Sequence, residues 1–210
     1  MLKILIADDH AIVRQGLKQI VTETPDMIVA GEASNGQELL NKIQESDYDV
    51  VVLDITMPGR DGIDVLKQLR SERPELPILM LSIHPEEQYA LRALKAGASG
   101  YLTKESAPDE LVVAIRKVSR GGKYISSSLA EKLAFELEVG REQAPHETLS
   151  DREYQVMRMI ASGKTVMEIA QELVLSEKTI STYRSRILEK MNMKNNAELT
   201  YYAIKNQLVH

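Results

Sequence analysis

The sequence predicts two architectures in one chain: an α/β unit on a doubly wound, five-stranded parallel sheet, then an all-α unit of four helices. Three observations lead there. Strand-like apolar runs alternate with amphipathic helical patterns through the first 120 residues. The central runs, such as "VVVL" at 50–53, are apolar without a break, as strands covered on both faces must be. From Thr148 the strand pattern stops and only helical periodicity continues.

Five strands are expected, at "LKILIA" (2–7), "MIVAGEA" (27–33), "DVVVLD" (49–54), "PILMLS" (77–82) and "SGYLT" (99–103). Helical spacing puts Ile12, Val13, Leu17, Ile20 and Val21 on one face. The same spacing groups Leu39, Leu40 and Ile43; Ile63, Leu66 and Leu69; Leu91 and Leu94; and Leu111, Val112, Ile115 and Val118. Gly121-Gly122 ends the last of these helices. In the connector, "SSSLAEKLAFEL" predicts a short Ser-capped helix, and "EVGREQAPHET" a flexible, acid-rich linker. In the tail, Ser150 is the expected N-cap of a first helix, with Glu153 at the capping-box position and Gly163 as its stop. "TVMEIAQELVL" is a second helix, "SEKTISTYRSRILEKMNM" a third capped by Ser176, and "NAELTYYAIKNQL" a fourth. Only Val174 to Ser176 separate the second and third, which is helix-turn-helix spacing. The expected domains are residues 1–120, a linker at 121–147, and residues 148–210.

Composition narrows the function classes. There is no Cys, so neither a disulfide framework nor a thiolate metal site is expected. No run approaches the ~18 apolar residues of a membrane span, and the start "MLKILIADDH" does not read as a signal peptide. The cytoplasm is the expected compartment, with no membrane partner. The net charge of −5 argues at first against nucleic acid. Residues 148–210, however, carry nine Lys and Arg against seven Asp and Glu, leaving the acidity in the first part. That division fits two domains with different partners.

In an open parallel sheet, ligands bind beyond the carboxyl ends of the strands. Asp8 and Asp9 follow the first expected strand and Asp54 ends the third; Ser82 closes the fourth and Lys104 follows the fifth. Singly, Asp9 reads as a helix cap, Asp54 as a turn residue and Lys104 as a solvated charge. Together they place three carboxylates, a hydroxyl and an ammonium in one crevice. Carboxylates that close call for a cation. Mg2+ suits a site that also handles phosphate, and a Lys and a hydroxyl are what a phosphoryl group needs.

With "ADDH", "VVVLDITMPGRDG", "LMLS" and "YLTK" quoted, residues 1–120 resemble the receiver domain of two-component response regulators, a flavodoxin-like fold. The resemblance implies that Asp54 is the phosphoacceptor, fed by a sensor histidine kinase. It implies Mg2+ held by Asp8, Asp9, Asp54 and the Thr56 backbone carbonyl. Lys104 would pair with the phosphoryl oxygens, Ser82 would close on them, and Tyr101 would be the switch aromatic, drawn inward on phosphorylation. Glu105 departs from the Pro that many receivers carry, which leaves the Lys104–Glu105 peptide geometry open.

Between Glu177 and Lys194, the third tail helix and its end carry Lys178, Arg184, Arg186, Lys190 and Lys194. Its Ile180, Ile187, Leu188 and Met191 recur at core spacing, leaving Lys178, Ser181, Thr182, Ser185 and Glu189 outside. Small hydroxyls flanked by cations suit a major groove; a solvated amphipathic helix is the plain alternative. "LSDRE", "IASG", "EIAQEL" and "LSEKTISTYRSRILEKMNM" make residues 148–210 similar to the LuxR-type helix-turn-helix of the NarL/FixJ family. That implies Ser181, Thr182 and Ser185 near bases of double-stranded DNA, and Lys178, Thr179, Tyr183, Arg184 and Arg186 near phosphates. Tyr183 replaces a common His, and Asn196 a common Arg. "KTISTYRSR" is closer to the branch containing the global regulators GacA, UvrY and BvgA.

The reading is a DNA-binding transcription regulator controlled by phosphorylation, not an enzyme beyond its own phosphoryl transfer and slow dephosphorylation. A homodimer is expected when phosphorylated, with Leu199, Tyr202 and Ile204 as a pairing stripe or as ordinary core; RNA polymerase is a further candidate partner. Two rivals stand beside it. One is a Mg-dependent aspartyl-phosphate phosphatase, which would need an acid close behind Asp54, where Thr56 stands and Asp61 is the first acid. The other is a signalling adaptor acting without DNA.

Overall fold

The computed structural model describes residues 1–127, 129–131 and 144–209. The chain divides into two compact units, Met1–Val139 and Gly140–His210.

The first unit alternates strand and helix: β1 (Leu2–Ala7), α1 (Ala11–Thr22), β2 (Met27–Ala33), α2 (Gly36–Glu45), β3 (Val50–Asp54), α3 (Gly62–Glu72), β4 (Ile78–Ser82), α4 (Glu86–Lys95), β5 (Gly100–Thr103) and α5 (Ala107–Val118). The strands run parallel in the order β2-β1-β3-β4-β5. Right-handed crossovers from this order place α1 on one face and α2, α3 and α4 on the other. Ile4, Ile6, Val50, Val52, Leu79 and Leu81 build one core with Leu17 and Val21 of α1 and Leu111, Ile115 and Val118 of α5. The alternate residues Leu5, Val51, Leu53 and Met80 are equally buried, which explains the unbroken apolar runs.

Two helical faces differ from the periodicity reading. Ile12 is 89% exposed, because Val13, Leu17, Ile20 and Val21 already fill the arc that faces the sheet. In α4, Tyr89, Ala90 and Ala93 are buried while Leu91 and Leu94 are half-buried. The small alanines permit close approach to the sheet, and apolar size alone does not select the inner face.

The start of the connector belongs to the first unit. Tyr124 forms a parallel bridge with Gly100. Its N–H donates to Ser99 O (2.9 Å), its carbonyl accepts from Tyr101 N (3.1 Å), and its hydroxyl donates to Glu110 (2.9 Å). Ser126 Oγ donates to Glu86 Oε2. The expected "SSSLAEKLAFEL" helix falls largely on 128 and 132–143, outside the described residues.

The second unit holds α6 (Asp151–Ala161), α7 (Val166–Leu173), α8 (Glu177–Lys190) and α9 (Asn196–Lys205). Each has a side-chain N-cap: Ser150 and Thr165 in full capping boxes with Glu153 and Glu168, Ser176 on Thr179 N, and Asn195 on Glu198 N. Val174 closes α7 in the left-handed region at φ 54°. Leu199 is fully buried and Tyr202 half-buried, so of Leu199, Tyr202 and Ile204 the first belongs to the core, as the core alternative has it; Tyr201 and Ile204 are the exposed apolar residues of α9. The end of the expected flexible linker is ordered. Pro145–Thr148 form a 3-10 turn, and His146 Nδ1 lies 2.8 Å from Tyr202 Oη, with its ring between Tyr154 and Tyr202. Among the described residues, no helix is long and apolar enough to cross a membrane.

The loop after β3 is set by contact rather than flexibility. Asp61 caps α3 through Ile63 N (2.8 Å), and Gly62 N donates to Ile55 O (2.8 Å). A Cβ at Gly62 would lie 2.1 Å from the Asp54 carbonyl oxygen and 2.8 Å from Ile55 Cα. Gly62→Ala is therefore expected to destabilise the first unit by about 2 kcal/mol or more, since only backbone could yield. Gly16, within α1, has nothing within 4 Å of an added Cβ. Gly16→Ala is expected to stabilise by ~0.5–1 kcal/mol through helix propensity. Urea unfolding of the two variants checks the opposite signs.

Candidate functional site

The carboxyl ends of four neighbouring strands meet at one crevice. The order reverses between β1 and β3, so the crevice opens where their two onward connections part. Asp8 and Asp54 are buried at the tips of those strands, and Ser82 is buried at the end of β4. Lys104 leaves β5 with its N–H donating to Ser82 O (2.7 Å). Its Nζ lies 2.6 Å from Asp8 Oδ2 and 2.9 Å from Asp54 Oδ2, with the side chain 12% exposed. Asp9 and His10 complete the rim: Asp8, Asp9, His10 and Asp54 each offer a ligand atom, all within 4.8 Å of one another.

One ammonium faces three carboxylates. Burial pushes the Asp54 carboxyl up to about 7; the neighbouring Asp8 charge adds to the rise, while Lys104 and the Thr56 N–H oppose it. Burial also works to lower the Lys104 ammonium, but Asp54 and Asp8 outweigh it and hold it above the ordinary lysine range. The surplus negative charge and an all-oxygen carboxylate set fit a hard divalent cation.

The remaining expected residues surround this core. The Thr56 N–H bonds to the Asp54 carboxylate. Ser82 Oγ accepts from His84 N (3.0 Å), which leaves its hydroxyl hydrogen to donate elsewhere. Tyr101 is buried, and its hydroxyl donates to His84 O (2.9 Å). The His84 carbonyl gives the phenol a buried partner. The Lys104–Glu105 peptide is trans. Asp61, the first acid after Asp54, accepts from Ile63 N as the α3 cap. The residue that sequence reasoning missed is His10. Its place after Asp8-Asp9 in "ADDH" was the available signal.

The second unit presents α8 as a basic face. Lys178, Ser181, Thr182, Ser185 and Arg186 are exposed, while Thr179, Tyr183 and Arg184 are half-buried. Lys178, Thr179, Thr182, Tyr183 and Arg186 line one shallow hollow with Ser176. Thr182 donates back to Lys178 O (2.9 Å) and Ser185 to Ser181 O (3.1 Å), so both hydroxyls turn acceptor lone pairs outward. Lys190 is drawn off that face, 2.6 Å from Glu153 of the α6 capping box. Arg184 Nε donates to Asn196 Oδ1 (2.7 Å).

Residues 4–116 match the response regulator receiver domain, and residues 147–203 match the bacterial regulatory proteins of the luxR family. The chain belongs to the response regulators of the NarL/FixJ family, which join a receiver to a LuxR-type helix-turn-helix. Response regulator UvrY of Escherichia coli (strain K12) is 38% identical over 209 residues, 99% of this chain and 96% of UvrY. Response regulator GacA of Pseudomonas aeruginosa is 35% identical over 210 residues, 100% of this chain and 98% of GacA. Both belong to the branch that "KTISTYRSR" indicates. Salmonella enterica serovar Typhimurium RcsB, solved bound to promoter rprA with the phosphomimetic BeF3-, superposes with a TM-score of 0.66 at 29% identity. That alignment covers 96% of this chain and 98% of RcsB.

Folding raises the Asp54 carboxyl from 3.8 to about 7, so between those values the folded state holds a proton that the unfolded state releases. Stability tied to Asp54 is therefore present at low pH and is lost as pH rises through that window. Asp54→Asn is expected to raise the metal-free melting temperature of the first unit at pH 8 and to leave it nearly unchanged at pH 4. Equal shifts at both pH values in differential scanning calorimetry would contradict this.

Proposed function

We propose that residues 1–120 act as a phosphoacceptor, that 121–147 link, and that 148–210 read double-stranded DNA. The chain is thus a transcription regulator switched by a sensor histidine kinase. The observation that carries the reading is Lys104 bridging Asp8 and Asp54 at the mouth of the sheet. An oxygen of Asp54 attacks the phosphorus of a phosphohistidine; the O–P bond forms as the N–P bond breaks, and the imidazole nitrogen takes up a proton. Lys104 exchanges its Asp54 contact for a phosphoryl oxygen, and Ser82 donates its hydroxyl hydrogen to another. Asp8, Asp9, Asp54 and the Thr56 carbonyl would hold Mg2+, which when bound neutralises charge on the phosphoryl oxygens. Tyr101, held to the His84 carbonyl, serves as the switch aromatic. The chain carries out its own phosphorylation and slow dephosphorylation and turns over no other substrate.

On α8, Ser181, Thr182 and Ser185 face base edges, and their outward lone pairs suit exocyclic amino groups of adenine or cytosine. Lys178, Thr179, Tyr183, Arg184 and Arg186 contact phosphates. RcsB, a solved relative at similar length, binds promoter DNA, which supports this role. The working form is a cytoplasmic homodimer on a two-fold site, with RNA polymerase as a further partner.

Two experiments test the reading. Intact mass after incubation with acetyl phosphate and Mg2+ should show one added phosphoryl group, and Asp54→Ala should show none. A gain in Asp54→Ala at the wild-type rate would remove the site assignment. For the tail, Lys178→Ala should weaken binding to operator and random DNA alike and flatten the log–log salt dependence by about one unit. Thr182→Ala should change which sequences are selected. Binding that ignores salt in both variants would favour the adaptor alternative.

A further inference from the structure

Ser126 sits where the connector leaves the sheet, and its hydroxyl reaches in two directions. Its oxygen accepts from Leu129 N (3.2 Å), and its carbonyl accepts from Ala130 N (3.1 Å). Residues 127 and 129–131 are helical, so Ser126 is the N-cap of the turn that opens there. The hydroxyl hydrogen goes to Glu86 Oε2, in the first turn of α4. One rotor therefore sets both the cap and the tie to α4. The neighbouring attachments go elsewhere. Tyr124 is held by backbone bonds to β5 and by its hydroxyl to Glu110 of α5, and Lys123 Nζ donates to Ala98 O (2.7 Å). A hollow of about 420 Å3 opens between Ile83, Pro85, Leu102 and Tyr124, with Glu86 and Ser126 on its wall. The tie to α4 thus runs along a hollow rather than through packed core. Only Ile83, His84 and Pro85 separate Glu86 from Ser82. Ser82 Oγ accepts from His84 N (3.0 Å), and Tyr101 donates to His84 O (2.9 Å). The segment that carries Glu86 is fastened to the same hydroxyl that would take a phosphoryl oxygen.

We infer that Ser126 is a latch joining the phosphoacceptor site to the connector, closed on Glu86 before phosphorylation and opened by it. With Asp54 unmodified, His84 N holds Ser82 Oγ, Glu86 holds the Ser126 hydroxyl, and the connector turn is capped. When Ser82 turns its hydroxyl to the phosphoryl group, the 83–86 segment follows and Glu86 leaves Ser126. Ser126 then loses the partner that fixes its χ1, and the cap on Leu129 weakens. A change at one site so biases a two-state element at another, which is what coupling requires. The backbone bridge of Tyr124 stays, so the connector moves from a fixed root instead of detaching. The inference rests on the reading of Asp54 as phosphoacceptor and Ser82 as its closing hydroxyl, and it extends that reading to the connector.

The test follows amide hydrogen exchange of the 15N-labelled full-length protein by NMR, with and without acetyl phosphate and Mg2+, once intact mass has shown the added phosphoryl group. Phosphorylation should speed exchange at Leu129 and Ala130 about threefold, as three staggered χ1 wells replace one at Ser126. The Tyr101 and Tyr124 amides, which bond across the bridge, should not change. Glu86→Ala should show the faster exchange without phosphorylation and gain nothing from it, while taking up the phosphoryl group as fully as the wild type. Glu86→Gln keeps an acceptor for the Ser126 hydroxyl and should behave as the wild type, which separates the hydrogen bond from the charge. Ser126→Ala removes the cap itself and should exchange about fivefold faster, with no response to phosphorylation. Circular dichroism melting curves check that each variant is folded. Unchanged exchange at Leu129 and Ala130 in phosphorylated wild type overturns the latch and leaves the phosphoacceptor reading intact. A Glu86→Ala variant that exchanges like the unmodified wild type does the same. Faster exchange at Tyr101 and Tyr124 as well would mean that the whole segment detaches, and it too overturns the latch. If the wild type takes up no phosphoryl group, the phosphoacceptor reading fails and the latch falls with it.

Discussion

The bridge from Lys104 to Asp8 and Asp54 is the constraint on which the first unit depends. Two buried carboxylates side by side are costly, and a single ammonium offsets part of that cost. The three groups come from strands far apart in sequence, so the bridge is only as good as the sheet that aims them. The unbroken apolar runs of β1, β3 and β4 serve that purpose: covered on both faces, the strands leave the tips little freedom. Gly62 tightens the same place from behind by letting the start of α3 lie against the Asp54 carbonyl. Residual negative charge is what makes the site receptive to a cation.

The second unit solves a different problem, namely how to hold a polar helix firmly with few apolar residues. Ile180 and Ile187 anchor α8, and its ends are tied by polar contacts. Lys190 reaches the capping box of α6, and Arg184 reaches the first residue of α9. Two of the cations therefore orient the helix in its own fold, and Lys178 and Arg186 are left facing outward. Asn196 fixes the Arg184 Nε, so the Asn at 196 positions that guanidinium.

Much of this was legible in the sequence because the signals were periodic or local. The strand tips Asp8, Asp54 and Ser82 follow from where apolar runs stop, the cap Ser150 from its spacing to Glu153, and the cap Ser176 from its place at the head of a helical pattern. What escaped depends on tertiary distance. Ile12 belongs to an apolar set by composition, but the sheet has no room for it. Leu199 reads equally as a surface stripe or as core, and only packing against α6 decides. Tyr101 gives no hint that the His84 carbonyl will hold it inward. His10 joins the carboxylates through a side-chain rotation that spacing does not encode. The four cations of α8 look alike until Glu153 claims one of them.

The Tyr124 bridge has a consequence for the sheet as a whole. β5 would otherwise end the sheet with an open row of backbone donors and acceptors, the kind of edge on which strands of other molecules can add. Tyr124 occupies that row on both sides, through Ser99 O and Tyr101 N, and Ser126 and Glu86 hold the segment down beyond it. The cover comes from residues past 120, after the five strands and α1–α5. A fragment cut at that point would keep β1–β5 and α1–α5 yet leave Ser99 O and Tyr101 N on the β5 edge without Tyr124, and with them an opening for self-association.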